Sequence, residues 1–138
     1  MDRKTEKCVM VIDGSLPPGI AANTAAILGV TLGKRMPEVV GEDVRDGQGR
    51  EHLGIIEFPV PVLKSTREDL RRLREALYAP ECRDLTVADF SDLAQGCRTY
   101  GEFIGKMREA DSLQYLGLAV CGARKAVDRL TGSLPLLR

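Results

Sequence analysis

Two carboxylates in this 138-residue chain stand where side-chain chemistry is commonly placed. Asp13 closes the apolar run "KCVMVID", residues 7 to 13, and Asp89 falls at the end of "LTVAD" within residues 84 to 90. In an α/β protein, ligands gather at the C-terminal ends of strands. A carboxylate there can act as a general base or position a water; it can equally cap a helix or form a turn. Asn23 is the one amide in an otherwise aliphatic segment. A buried amide needs partners, and a ligand is one candidate beside a neighbouring loop. His52, the single histidine, follows a turn, where a packing or surface role competes with a functional one.

The turn from Asp13 to Gly19 lacks the Gly-rich Lys-Ser/Thr pattern of a nucleotide P-loop. Pro17 and Pro18 also remove two N–H donors that a phosphate cradle would use. "GSLPP" is no nucleophile elbow, so no Ser-His-Asp arrangement can be argued. A weaker polar site at this strand end, including Ser15, remains. The cysteines Cys8, Cys82, Cys97 and Cys121 are too widely spaced for a structural zinc site. Cys8 and Cys121 lie in apolar runs and read as reduced core thiols. No metal or cofactor is implied.

Composition sets the frame for these residues. An apolar fraction of 43% and a charged fraction of 29% describe a soluble globular chain, and its length suits one domain, residues 1–138. No run reaches the roughly 20 apolar residues of a membrane span. The polar opening "MDRKTEKCVM" leads straight into a strand and does not resemble a signal peptide, so the expected location is cytoplasmic. Lys and Arg number 20, as do Asp and Glu. This balance does not favour a nucleic-acid partner such as tRNA.

The elements that must position the candidates follow from periodicity. "KCVMVID" reads as a buried strand. Pro17 and Pro18 introduce a helix from Ile20 to Leu32 that is small or aliphatic on nearly every face, the pattern of a buried helix. Asp46-Gly47 lies between two extended segments and signals a hairpin. Pro59 and Pro61 assign "GIIEFPVPVL" to an edge strand or extended loop. "STREDLRRLREALY" is an amphipathic helix with a capping box at Ser65 and Glu68. "DLTVADF" is a strand, "TYGEFIGKMREA" a helix, "QYLGLAVCG" an apolar strand and "ARKAVDRL" a short helix. Strands alternate with helices, which predicts an α/β fold on a mixed sheet of about four strands.

The C-terminal stretch "YLGLAVCGARKAVDRLTGSLPLLR" resembles the ending of the type-II peptidyl-tRNA hydrolases. Val127, Asp128, Thr131, Gly132, Leu134, Leu136 and Leu137 match that ending, and Pro135 stands where the family has lysine. Lys7 opens the first strand as in those enzymes, and "GIAAN" is similar to their helix start. The resemblance implies that Asp89 corresponds to the aspartate implicated in ester hydrolysis. Gly19 occupies the slot of the implicated lysine, Asn23 that of a glutamine, and Ala26 that of a histidine. After Asp89 the hydrolases continue Ala-Gly-x-Thr, whereas this chain reads "FSDLAQGCRTY".

With "DGQGREHLGIIEFPVPVL", "ADFSDLAQGCRTY" and "LTGSLPLLR", the chain looks still closer to a bacterial family of unknown function sharing the hydrolase fold. That resemblance implies a three-layer α/β/α sandwich and a homodimer, but no activity. The expected site gathers Asp13, Ser15, Asn23, His52, Asp89, Gln95, Arg98 and Tyr100 at strand ends and in the divergent loop. The first expectation is small polar ligand binding or diverged hydrolysis in place of the lost lysine. A true peptidyl-tRNA hydrolase working through Asp89, and a non-enzymatic dimeric interaction module, are the alternatives.

Overall fold

The computed structural model describes residue 2 and residues 4–138; Met1 and Arg3, part of the polar opening segment, lie outside them. The first strand, β1, spans Glu6–Asp13. It is followed by helix α1, Pro18–Arg35, and a small hairpin of β2, Val44–Arg45, and β3, Glu51–His52. Next come β4, Val62–Ser65, and α2, Arg67–Ala76. Strand β5, Thr86–Ser91, leads into α3, Asp92–Gly96, and α4, Tyr100–Glu109. Strand β6, Tyr115–Ala123, and α5, Arg124–Thr131, complete the regular elements.

The main sheet has the order β4-β1-β6-β5. β1 and β4 are parallel, and β6 runs antiparallel to both β1 and β5. The C-terminal ends of β1, β4 and β5 therefore lie along the same edge of the sheet, where β6 begins. Side chains alternate between faces along each strand. Cys8, Met10 and Ile12 join Leu28 and Leu32 of α1 in one core. Val9 and Val11 join Leu70 of α2, Leu77 at its C-cap and Val127 of α5 in the other. Helices thus cover both sheet faces, which is why β1 and β6 are apolar almost throughout. The α/β class and the mixed four-stranded sheet expected from the sequence are both present.

Gly117 sets the spacing of the α1 layer. A Cβ at that position would lie 2.6 Å from the Thr24 methyl and 2.8 Å from the Ile12 Cδ1. The helix approaches β6 more closely than any side chain there would permit. Yet α1 is not buried all round, as its composition predicts. Thr24, Leu28 and Leu32 are its buried residues, while Ala22, Ala26, Ile27 and Val30 face outward and Val30 is 74% exposed. An outer-layer helix meets the sheet along one stripe only.

Three further expectations are corrected. The cap of α2 is Thr66, whose hydroxyl accepts the Asp69 N–H at 3.1 Å, so the helix starts one residue beyond the Ser65 capping box. Helix α3 occupies part of the stretch read as a loop, and a Ser91 side-chain cap starts it. Cys8 and Cys121, expected as reduced thiols, are joined in a disulfide. They lie directly opposite one another in the β1–β6 register, with Cα atoms 4.1 Å apart.

The two sheet edges differ. Pro59 and Pro61 precede the edge strand β4, in keeping with their missing donors. The C-terminal tail covers that edge: the Lys64 N–H donates to the Pro135 carbonyl, and the Leu137 N–H to the Val62 carbonyl. The outer edge of β5 pairs with no strand among the described residues. No helix among those residues is long and apolar enough to cross a membrane.

Candidate functional site

The parallel pairing of β1 and β4 brings Asp13 beside Ser65, and the Gly14 N–H donates to the Ser65 carbonyl at 2.9 Å. Arg67 is the first residue of α2, two residues beyond that strand end. Asp13 is 2% exposed. Its Oδ1 accepts both the Ser15 N–H, at 2.9 Å, and the Ser15 hydroxyl, at 2.7 Å. Its Oδ2 accepts the Arg67 Nε–H at 2.9 Å. Arg67 Nη1 donates in turn to the Gln114 Oε1 at 3.1 Å.

Burial by itself pushes the Asp13 carboxyl up, but the Ser15 hydroxyl and amide, aided by Arg67, outweigh it. The net result holds its pKa below the ordinary value of 3.8. An ionised carboxylate with both oxygens engaged is a poor proton acceptor. It fixes the orientation of Ser15 and Arg67 instead. The cluster lines a cavity of about 760 Å³, to which Leu134 and Pro135 of the tail also contribute.

Asp89 is placed elsewhere. Its Oδ2 accepts the Arg74 Nε–H at 2.9 Å, and Arg74 is only 11% exposed. The Arg74 guanidinium also lies 3.9 Å from the centre of the Tyr78 ring. Arg67 and Arg74 stand two turns apart on α2, so one helix supplies a cation to each carboxylate and holds the two apart. Asp13 and Asp89 lie on strands separated by β6, which puts about 10 Å between them across the sheet. Because Asp89 and Val11 both face Leu118, Asp13 stands a further two residues, about 7 Å, along the strand direction. Tyr115 stands close to the second pair. Its phenol is pushed above its ordinary pKa first by burial and then by the Asp89 carboxylate.

The remaining candidates fall in three other places. Arg98 and Tyr100 line a cavity of about 420 Å³ together with Ile27 and Thr31 of α1, Cys97 and Phe103; Asp89 also contributes to it. Asn23 and Gln95 join α1 to α3 through a 3.5 Å contact between Asn23 Nδ2 and Gln95 Oε1. Tyr100 is 73% exposed and stacks obliquely on Phe103, with ring centres 5.4 Å apart. His52 lies on the separate β2–β3 hairpin, where Nε2 contacts the Asp46 Oδ2 at 2.8 Å. The expected residues therefore do not converge on one cavity. Asp13 and Ser15 share one, Arg98, Tyr100 and Asp89 border another, and His52 is remote from both in its contacts.

Arg67, Arg74 and Gln114 were not singled out by sequence reasoning. Arg67 and Arg74 belong to a helix whose arginines read as a solvated face, and Gln114 opens a strand. Only pairing between distant segments gives them partners: Arg67 reaches Asp13 over 54 residues and Gln114 over 47. One signal was present, since a carboxylate at the end of a buried strand requires a cation or donor nearby.

The family model described as "Protein of unknown function (DUF2000)" matches residues 6–138. A solved structure of a protein of unknown function from Agrobacterium tumefaciens strain C58 is similar to this chain, with a TM-score of 0.86 and 22% sequence identity. The match covers 96% of this chain and 97% of that one. At that identity the likeness is one of fold. No curated protein matches the sequence.

Proposed function

We propose, from the premise that this chain belongs to the DUF2000 family of proteins of unknown function, that it binds a small polar ligand between the ends of β1 and β4. The fold we assign is of the type-II peptidyl-tRNA hydrolase kind, in the cytoplasm. The Asp13–Ser15–Arg67 cluster on the cavity wall carries this reading. A volume of about 760 Å³ lies within the range of about 300–1,000 Å³ usual for small-molecule sites, which combine apolar walls with a few fixed polar groups. Arg67 is half exposed and has no partner on Nη2 among the described residues, which leaves it able to meet a ligand oxygen. The depressed pKa of Asp13 favours recognition over proton abstraction.

The test is a titration of inorganic phosphate, acetate and free amino acids, followed by amide NMR. At least one probe is expected to shift Gly14, Ser15 and Arg67, and Arg67→Ala is expected to abolish that shift. Shifts confined to Arg98 and Tyr100, or none at all, would reject this location. Hydrolysis is examined on purified peptidyl-tRNA. Asp89 is tied to Arg74, and a Cβ built at Gly19 would meet nothing within 4 Å. On this reading the wild type releases no tRNA; turnover lost in Asp89→Asn would restore the hydrolase reading.

A second reading rests on the outward face of α1, where Val30 is 74% exposed beside Ala22 and Ala26. That face suits a homodimer, formed by α1 meeting its copy, in which the protein acts as an interaction module.

A further inference from the structure

We propose that the open edge of β5 receives an extended acidic peptide segment as an additional strand. The proposal is independent of the Asp13 cavity, because it concerns the opposite edge of the sheet. The β4 edge is covered by the C-terminal tail, whereas the outer N–H and C=O groups of Thr86–Ser91 meet no strand among the described residues. A bare edge of this kind is a template for strand addition, and proteins usually blunt it.

The surroundings of β5 are shaped for such a strand. Two cavities lie along it and share Thr31 of α1. The cavity of about 600 Å³ borders Thr86, Val87 and Ala88 and reaches from Arg35 of α1 to Tyr78 beyond the end of α2. These helices lie on opposite faces of the sheet, so this cavity wraps around the edge. The cavity of about 420 Å³ borders Asp89 and Phe90 on the α1 side. An added strand sends alternate side chains to opposite faces, and its side chains would find recesses on both. Main-chain bonds would supply affinity and the recesses selectivity.

Charge selects the partner. Arg35 and Arg83 rim the larger cavity and Arg98 the smaller, and none of the three has an ion-pair partner among the described residues. Arg74 and Asp89 neutralise one another, which leaves Asp84 as the one opposing carboxylate among the lining residues; Glu102, which accepts the Arg98 backbone N–H, is itself paired with Lys106. The groove therefore carries a net positive rim in a chain of zero formal net charge. A second copy fits poorly: antiparallel pairing of two β5 strands about a two-fold axis would bring the arginine rims towards each other, and the cost of like charges opposes it. An acidic segment meets the same rims with attraction. The exposed rings of Tyr78 and Tyr100, at 63% and 73% exposure, flank the groove as contacts for apolar side chains.

The experiment is selection from a displayed library of random nine-residue peptides on the intact protein, with Arg35→Glu/Arg98→Glu as the counter-target. Enrichment of acidic sequences with alternating apolar residues is expected on wild type and not on the variant. The best peptide is then synthesised in two forms, N-methylated at alternate amides in either phase. One form should bind at least about tenfold more weakly, since it loses the ladder bonds of the added strand. Hydrogen exchange should slow in Thr86–Ser91 when peptide is present. The methylation arm uses wild-type protein, so misfolding of the variant would not obscure it. Absence of acidic enrichment, equal binding of both methylated forms, or protection away from β5 would each overturn the proposal. Concentration-dependent protection of β5 without peptide would overturn it in favour of pairing with a second copy.

Discussion

Asp13 shows how a buried strand-end carboxylate is tied into the fold. Its carboxylate is buried, and its pKa is held below 3.8 by Ser15 and Arg67 against the upward push of burial. A depressed pKa means that the folded state binds this proton less readily than the unfolded state does. The associated stability is complete above about pH 4, where the unfolded carboxyl is ionised, and is lost as the pH falls through the folded value. Asp13→Asn should therefore flatten the acid limb of stability below about pH 4. At pH 7 it should cost about 1 to 2 kcal/mol, since Arg67 is half exposed and screened. Urea unfolding at pH 3 and pH 7 measures both effects; an unchanged acid limb would contradict the assignment. Asp89 differs because its partner Arg74 is only 11% exposed, whereas Arg67 is half exposed. Both aspartates are legible in the sequence as strand-end carboxylates, but their arginine partners are not, because each pairing crosses between elements.

At the scale of elements, α2 offers a clean comparison. The spacing of Ser65 and Glu68 suggests a capping box, but Thr66 makes the cap. Thr66→Ala should cost about 1 kcal/mol of stability by loss of the cap, and Ser65→Ala should cost less, since its buried hydroxyl makes only a long 3.2 Å bond to the Thr66 carbonyl. Thermal or urea unfolding of the two variants ranks them, and the reverse order would restore the sequence-based cap. The sequence signal misleads because adjacent residues both qualify chemically, and the choice follows where parallel pairing ends β4 at Ser65. Helix α1 shows the opposite kind of ambiguity. Its apolar character is plain in the sequence, yet composition does not say which layer covers its outer face. If α1 meets its copy, Val30→Glu should convert a dimer to a monomer in sedimentation equilibrium. At 74% exposure in the isolated chain, the substitution should change the stability of the monomer by no more than about 0.5 kcal/mol. A wild-type monomer, or a dimer retained by the variant, would remove α1 from the interface.

At the scale of the molecule, the Cys8–Cys121 pair links the first strand to the last across 113 residues. In the chain-entropy account, closing a loop of that length stabilises the fold by about 4 to 5 kcal/mol. A non-reduced digest should contain the linked peptides, and reduction should lower the urea midpoint substantially. Both sulfurs belong to residues only 2% exposed, so reduction of the folded protein should be slow without denaturant. Free Cys8 and Cys121 in the non-reduced digest would return these residues to the reduced thiols of the sequence reading. The same global pairing decides which edge of the sheet is covered. Residues 135–137 protect β4 through backbone bonds that no local pattern announces.

Apart from the short helix α3, the order of the main elements, the hairpin and the α/β class were determined by the sequence, because period-2 and period-3.6 patterns and Gly-Pro punctuation are local properties. The candidate carboxylates were visible for the same reason, as polar residues at the ends of apolar runs. Tertiary structure decided that Asp13 and Asp89 belong to separate places, each held by a different arginine of α2. It also decided that His52 keeps to the hairpin, that Cys8 meets Cys121, and that the outer edge of β5 meets no strand among the described residues. Those outcomes depend on strand order and register, which bring together residues far apart in the chain and are set by the packing of all the layers at once.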